Sequence, residues 1–274
     1  ATFEEALLKA IDSLDIKLNF HIGMNEIGKW DNSFILDSLR RPDDERIFAI
    51  SEALNRGYTV ENIHNITKID KFFIEKLKYI NIVADKVKSK GTLTPSLLLE
   101  AKKCGLSDAY IGKLIGRDGK DIASFRRENN ILPSYKSIDN KRAYYYSTYE
   151  DRYGSKSSNG SKKVIVLGSG PIRIGQGIEF DYCSVHSVKA LREKNMEAII
   201  INSNPETVST DFDTADTLYF EPLTLECVLD VVDRENPLGV IVQFGGQTAI
   251  NLATPLKNAG INILGTTESD INRA

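Results

Sequence analysis

Two kinds of hydrophobic spacing divide the chain. Through residues 3–130 apolar positions recur every three or four residues, the period of helices packed on one face. Each of these helices has a start signal. The acidic run Asp43-Asp44-Glu45 opens one in which Ile47, Ile50 and Leu54 form the inner face and Gly57 closes the C-terminus. Thr59 caps a short helix carrying Ile63 and Ile66, and Asp70 caps a long one with Phe73, Leu77, Ile80, Ala84 and Val87 facing a core. Thr94-Pro95 places a cap before a proline at the first helical position, and Ser107 caps a helix with Ile111, Leu114 and Ile115 inward. A last helix covers Asp121 to Asn129.

Beyond residue 163 the pattern changes to short apolar runs at 164–167, 198–201, 218–220, 239–243 and 261–264, separated by helical stretches. Val185, Val188 and Leu191 mark one intervening helix; Thr224 caps another with Val228, Leu229 and Val232 inward. Alternation of buried strands and helices predicts a parallel, Rossmann-like sheet with helices on both faces and ligands outside the carboxyl ends of its strands. Pro255 forces a break, with Thr254 as the cap of a new helix and Pro255 at its first position. Between the halves, Tyr144 to Tyr149 reads as a strand or strap, and the small polar stretch 154–163 as a tether. The expected fold class is therefore an all-helical domain followed by a Rossmann-like α/β domain.

The candidate chemistry lies in three loops that follow strands and so share one edge. The first, 168–181, contains Gly168, Gly170, Gly175 and Gly177. Its spacing departs from the dinucleotide fingerprint and lacks the Gly-Lys-Ser/Thr of a P-loop. The second is 202–211, and the third, 243–248, has Gly245-Gly246 for close backbone approach and Thr248 as a helix cap. Loops rich in Gly, Asn, Gln, Glu and Thr at one edge suit a small polar or anionic species.

Composition narrows the alternatives. A formal net charge of −3 gives no global field for nucleic acid or membrane. The three cysteines are far apart and read as reduced thiols, and the three histidines have no partner at metal-ligand spacing, so no metal site is expected. No apolar run reaches the ~20 residues of a membrane span, no signal peptide is visible, and both ends read as those of an excised fragment. Leu106 to Asn130 resembles a helix-turn-helix whose second helix would offer Lys120, Arg126 and Arg127 to DNA. Seven Lys/Arg against five Asp/Glu over 96–130 is a thin charge for that role. The alternative to an enzyme fragment is thus a stand-alone nucleotide-binding α/β module with a helical or helix-turn-helix regulatory domain.

The motifs themselves are more specific. Gly-Ser-Gly-Pro-Ile-Arg-Ile-Gly-Gln-Gly-Ile-Glu-Phe-Asp-Tyr (168–182), Asn-Pro-Glu-Thr-Val-Ser-Thr-Asp (204–211), Leu-Tyr-Phe-Glu-Pro (218–222), Gln-Phe-Gly-Gly-Gln-Thr (243–248) and Ile-Leu-Gly-Thr (263–266) resemble the carbamoyl-phosphate synthetase large-subunit family. Upstream, the segment starting at Phe3 is similar to the one closing that family's first half, and Arg46 to Gly57 and Ala101 to Asp108 to its helical oligomerisation domain. One departure is a short path from Ser137 to Lys141 where the family has an additional segment. The resemblance implies four parts: residues 1–15 end the first synthetase half, 16–143 form the oligomerisation domain, 144–162 a strap and linker, and 163–274 the pre-ATP-grasp domain of the second, carbamoyl-phosphate half.

It also implies a reaction of the parent, in which bicarbonate, glutamine-derived ammonia and two ATP give carbamoyl phosphate for pyrimidine or arginine synthesis in the cytoplasm. ATP and Mg²⁺ (or Mn²⁺) would be held by ATP-grasp domains that this stretch lacks, so no catalytic residue and no cofactor are expected within it. Expected partners are a glutaminase small subunit and further copies through the helical domain, with no nucleic acid and no membrane. Arg173, Gly175, Gln176, Gly177, Glu179, Asn204, Glu206, Thr207, Gln243, Gly245, Gly246, Gln247 and Thr248 are the groups expected to face substrate or a tunnel, with Gly177 in the tunnel wall.

Overall fold

The computed structural model describes residues 1–14, 30–137, 143–150, 162–171, 178–271 and 273. The chain divides into two compact units, one made of residues 1–8 and 15–131, the other of 9–14 and 132–274. The division runs through the first helix, α1 (Phe3–Ser13).

The helical unit continues with α2 (Asn32–Arg40), α3 (Arg46–Asn55), α4 (Val60–Thr67), α5 (Lys71–Lys90), α6 (Pro95–Lys103), α7 (Asp108–Ile115) and α8 (Gly119–Glu128). The expected caps are in place. Thr59 forms a full capping box with Asn62, while Asp70, Thr94 and Ser107 each accept a backbone N–H from the first turn. Asp118 caps α8, two residues earlier than the sequence pattern suggested. Ile35, Leu39, Ile63, Ile74, Ile80, Leu98 and Leu106 are fully buried and form the core.

Three expectations need correction. On α3 the buried positions are Phe48, Ala49, Ile50, Ser51 and Ala53, while Ile47 and Leu54 are only half-buried, so the inner face is rotated by about one residue. Phe73 is exposed; its ring packs beside Phe3 and Phe72 at the edge of an apolar pocket of about 270 Å³ lined also by Leu7, Ile47 and Ile69. Arg126 does not point outward. It is 1% exposed, and its Nε donates to Asp108 Oδ2 at 3.0 Å while Lys102 Nζ sits 3.1 Å from Asp108 Oδ1. That inward turn removes one of the three cations a DNA-reading helix would have offered.

Among the described residues the second unit is built on a seven-stranded sheet. Its strands are β1 (Ser134–Ser137), β2 (Tyr144–Thr148), β3 (Lys163–Leu167), β4 (Glu197–Asn202), β5 (Thr217–Phe220), β6 (Gly239–Ile241) and β7 (Ile263–Leu264), in the order β1-β2-β5-β4-β3-β6-β7. All pairings are parallel except β1 with β2. Helices α9 (Glu179–Glu193), α10 (Leu225–Glu235), α11 (Gly246–Ile250), α12 (Ala253–Asn258) and α13 (Glu268–Ile271) complete it. The central runs 164–167 and 198–201 are uninterruptedly apolar because successive side chains enter two separate cores. Ile165, Leu167, Ile199 and Ile201 pack with Val228, Val231 and Leu256, and Val166, Ala198 and Ile200 pack with Val188.

β1 was not legible in the sequence, because Ser-Tyr-Lys-Ser carries little apolar signal. Its Tyr135 instead packs edge-on against Tyr219 of β5, and Arg234 of α10 lies over the Tyr135 and Tyr145 rings at 4.9 and 5.6 Å. Underneath, the Tyr219 hydroxyl donates to Glu235, whose carboxylate also takes Lys163 Nζ at 2.7 Å. Pro255 is accommodated differently from expectation: the helix does break, but Leu252 is at the N-cap and Pro255 is the third residue of α12. A first-turn N–H has no helical acceptor, so proline costs little there.

The cysteines differ in environment. Burial, then Glu4, Glu100 and Glu5, pushes the Cys104 thiol up to about 12. Burial first and Glu221 second push Cys227 well above its ordinary value. Alkylation of the native chain near pH 8, mapped by mass spectrometry, should therefore modify Cys183 well before Cys104 and Cys227. Equal labelling of all three would contradict these surroundings.

Candidate functional site

The carboxyl ends of β3, β4 and β6 lie side by side, so the loops that follow them share one edge of the sheet. Their contact is enforced by missing side chains. A Cβ on Gly245 would come within 2.2 Å of the Gly168 carbonyl oxygen and 2.8 Å of that of Leu167. These are backbone atoms that cannot swing aside, so the loop after β6 and the turn after β3 touch only because residue 245 is glycine.

Asn202, the last residue of β4, organises the second junction. It is 1% exposed. Its Oδ1 accepts the N–H groups of Gly170 and Ser203, each at 2.9 Å, and its Nδ2 donates to Ser209 Oγ at 3.1 Å. Asn202 was absent from the residues anticipated for the site. The available signal was a buried polar side chain ending the apolar run Ala198–Ile201. The loop is then tied to α9, whose Asp181 carboxylate accepts the Ser209 N–H at 3.2 and 3.3 Å.

The anticipated residues separate into groups. Glu179 is exposed at the start of α9, beside this loop. Asn204 is buried and folds onto its own turn: its Oδ1 accepts the Glu206 N–H at 3.0 Å, and its carbonyl accepts the Thr210 hydroxyl at 2.8 Å. Glu206 is exposed, and the Thr207 hydroxyl lies 3.3 Å from those of Ser209 and Thr210. Gly246 begins α11 in the left-handed region, with φ 61°. Gln247 donates to Asn251 Oδ1 at 2.6 Å, on its own helix. Thr248 is inside α11 rather than at its cap, a position that Gly245 occupies. Arg173, Gly175, Gln176 and Gly177 lie outside the described residues.

Gln243 differs from the others. Its amide lies against Gly265, where a Cβ would come within 2.3 Å, and its Oε1 is buried without a hydrogen bond. Ser203 Oγ is in the same condition at the end of β4. The carboxylates with such an atom, Glu4, Asp108 and Glu221, are each held by a lysine. Two orphaned polar groups, on the loops after β4 and β6 that flank the turn after β3, mark this edge as unfinished by its own side chains. Among the described residues no group of three or more His, Cys, Asp or Glu could hold a metal ion, and no helix is long and apolar enough to cross a membrane.

A mostly parallel sheet with polar loops at its carboxyl edge, accompanied by a separate helical unit, defines a mixed α and Rossmann-like α/β protein. Residues 160–273 match the carbamoyl phosphate synthase preATP-grasp domain, and residues 1–130 match the carbamoyl-phosphate synthetase large chain, oligomerisation domain. Over 289 residues the chain is 49% identical to the carbamoyl phosphate synthase large chain of Methanothrix thermoacetophila, an alignment covering 100% of this chain and 26% of that protein. The chain belongs to the carbamoyl-phosphate synthetase large-chain family and spans about a quarter of the length of the curated relative it matches.

Proposed function

We propose that the chain is part of a glutamine-dependent carbamoyl-phosphate synthetase, in which it supplies self-association and one wall of the second phosphorylation site. The parent reaction joins bicarbonate and ammonia, released from glutamine by a glutaminase small subunit, into carbamate and phosphorylates it, using two ATP and serving pyrimidine or arginine synthesis in the cytoplasm. The observation that carries the reading is the loop edge itself. Glycines hold the turns after β3 and β6 in backbone contact, and Ser203 and Gln243 keep polar atoms unsatisfied. Polar atoms left unsatisfied at such an edge suit a small polar substrate.

In this reading ATP and Mg²⁺ (or Mn²⁺) are held by the parent's ATP-grasp domains; among the described residues no group of three or more His, Cys, Asp or Glu could hold a metal ion. No phosphoryl-transfer step is assigned to them; those groups belong to ATP-grasp domains elsewhere in the parent. Residues 1–15 would close the first half, the helices of 30–131 associate with other copies, and the sheet unit, to which β1 and β2 belong, face the grasp domain. Arg173, Gly175, Gln176, Gly177, Glu179, Glu206, Gln243 and Thr248 would approach the substrate side.

This reading predicts that purified residues 1–274 hydrolyse no ATP with bicarbonate, ammonia and Mg²⁺ present. The complete large chain should form carbamoyl phosphate under the same conditions, followed by trapping the product. ATP turnover by residues 1–274 would overturn it.

A further inference from the structure

We propose that Lys9 and Glu221 are a positioning pair for the loop edge, holding the Gly168–Gly170 turn in place through Leu223. Glu221 follows β5 directly and is 1% exposed. Lys9 Nζ, from the C-terminal half of α1, lies 3.0 Å from each of its carboxylate oxygens. The same ammonium donates to the carbonyl and the hydroxyl of Ser147 on β2, both at 2.7 Å, and the Ser147 N–H donates back to Glu221 Oε1. All three ammonium protons are therefore committed to one corner of the sheet.

From that corner the path to the site is short. Only Pro222 and Leu223 separate Glu221 from Thr224, whose side chain caps α10. Leu223 is buried, and its Cδ1 lies 3.7 Å from where a Gly170 side chain would begin. Gly170 is itself held in the left-handed region, φ 68°, with its N–H on Asn202. A displacement of Glu221 thus reaches the Gly-rich turn through Leu223, which shares a core with Leu167, two residues before Ser169.

An ion pair with one buried partner is weak as a source of stability, since apolar residues of similar volume commonly do as well. Its directional bonds fix geometry instead. Neither Lys9 nor Ser147 falls in the stretch that matches the preATP-grasp domain, so two of the groups that orient Glu221 come from outside that domain's own sequence. Sequence comparison of the domain alone would not find them.

The inference rests on the carbamoyl-phosphate reading, and the test separates the two. In the complete large chain, the reverse of the second phosphorylation is followed: carbamoyl phosphate and ADP give carbamate and ATP, the phosphoryl group leaving the acyl oxygen for the β-phosphate. Lys9→Met should lower kcat for this step about tenfold or more, the scale of a small misplacement of reacting groups. Bicarbonate-dependent ATP hydrolysis should persist. Lys9→Met/Glu221→Gln, which removes the buried charge yet keeps an acceptor for the Ser147 N–H, should return most of the lost rate. Val188→Ala, in the opposite core, serves as the control for lowered thermal midpoint and should keep the reaction. The pair has no positioning role if Lys9→Met behaves like Val188→Ala, if both partial reactions fall together, or if the double variant regains nothing. Absence of the reverse reaction in the unmodified chain would instead overturn the functional reading, and this inference with it.

Discussion

Gly177→Phe in the complete large chain should leave bicarbonate-dependent ATP hydrolysis running while carbamoyl phosphate formation collapses. The two activities belong to different halves in the proposed reaction, and an unstable intermediate must pass between them. A passage for carbamate suits backbone and small side chains, and a benzyl group at residue 177 would narrow it. A hundredfold loss is the scale at which misplacing a reactant by about 1 Å acts, so ATP consumed per carbamoyl phosphate should rise by at least that order. The measurement is a paired assay of ADP release and trapped product. If both activities fall together, the substitution has damaged folding and the tunnel assignment loses its support.

The second large effect is on stability. Asp108→Ala removes the carboxylate shared by Lys102 and Arg126, which are 2% and 1% exposed. Breaking one partner out of a buried ion cluster costs about 3–5 kcal/mol, because the remaining charges stay desolvated. Denaturant unfolding should show a midpoint shift of that size with the slope unchanged. Burial opposes ionisation of Asp108, but Lys102 and Arg126 outweigh it and hold its carboxyl below the ordinary carboxylate value. A depressed acid stabilises the fold above its unfolded pKa near 4, and that stability is lost as pH falls through the lower, folded value. Asp108→Asn should therefore flatten stability against pH below about pH 4 relative to the unmodified chain. An Asp108→Ala midpoint close to that of the unmodified chain would show the cluster to be dispensable.

What the sequence revealed follows from the range of each interaction. Thr59, Asp70, Thr94, Ser107 and Thr224 were readable as caps because a cap is satisfied within three residues. The strands β3 and β4 were readable because burial on both faces leaves an uninterrupted apolar run. Arg126 misled because the carboxylate that turns it inward is eighteen residues away. Thr248 misled because Gly245, pressed against Gly168, takes the cap position that a threonine would otherwise favour. At the site, the glycines and the polar loops were visible, whereas the hub Asn202 and the pair Lys9–Glu221 depend on register between strands and on packing distant in sequence. The family itself was legible from the loop motifs at 168–182, 204–211 and 243–248.

The two margins of the sheet have a practical consequence. It ends in a strand of four residues on one side, β1, and of only two on the other, β7. β1 also carries Lys136. Unpaired strand edges are templates for association between molecules, and short or charged ones are poor templates. Concentrated solutions of this chain should consequently resist fibril growth by edge-to-edge addition, and any self-association they display will have to come from side-chain surfaces rather than from an extended ladder.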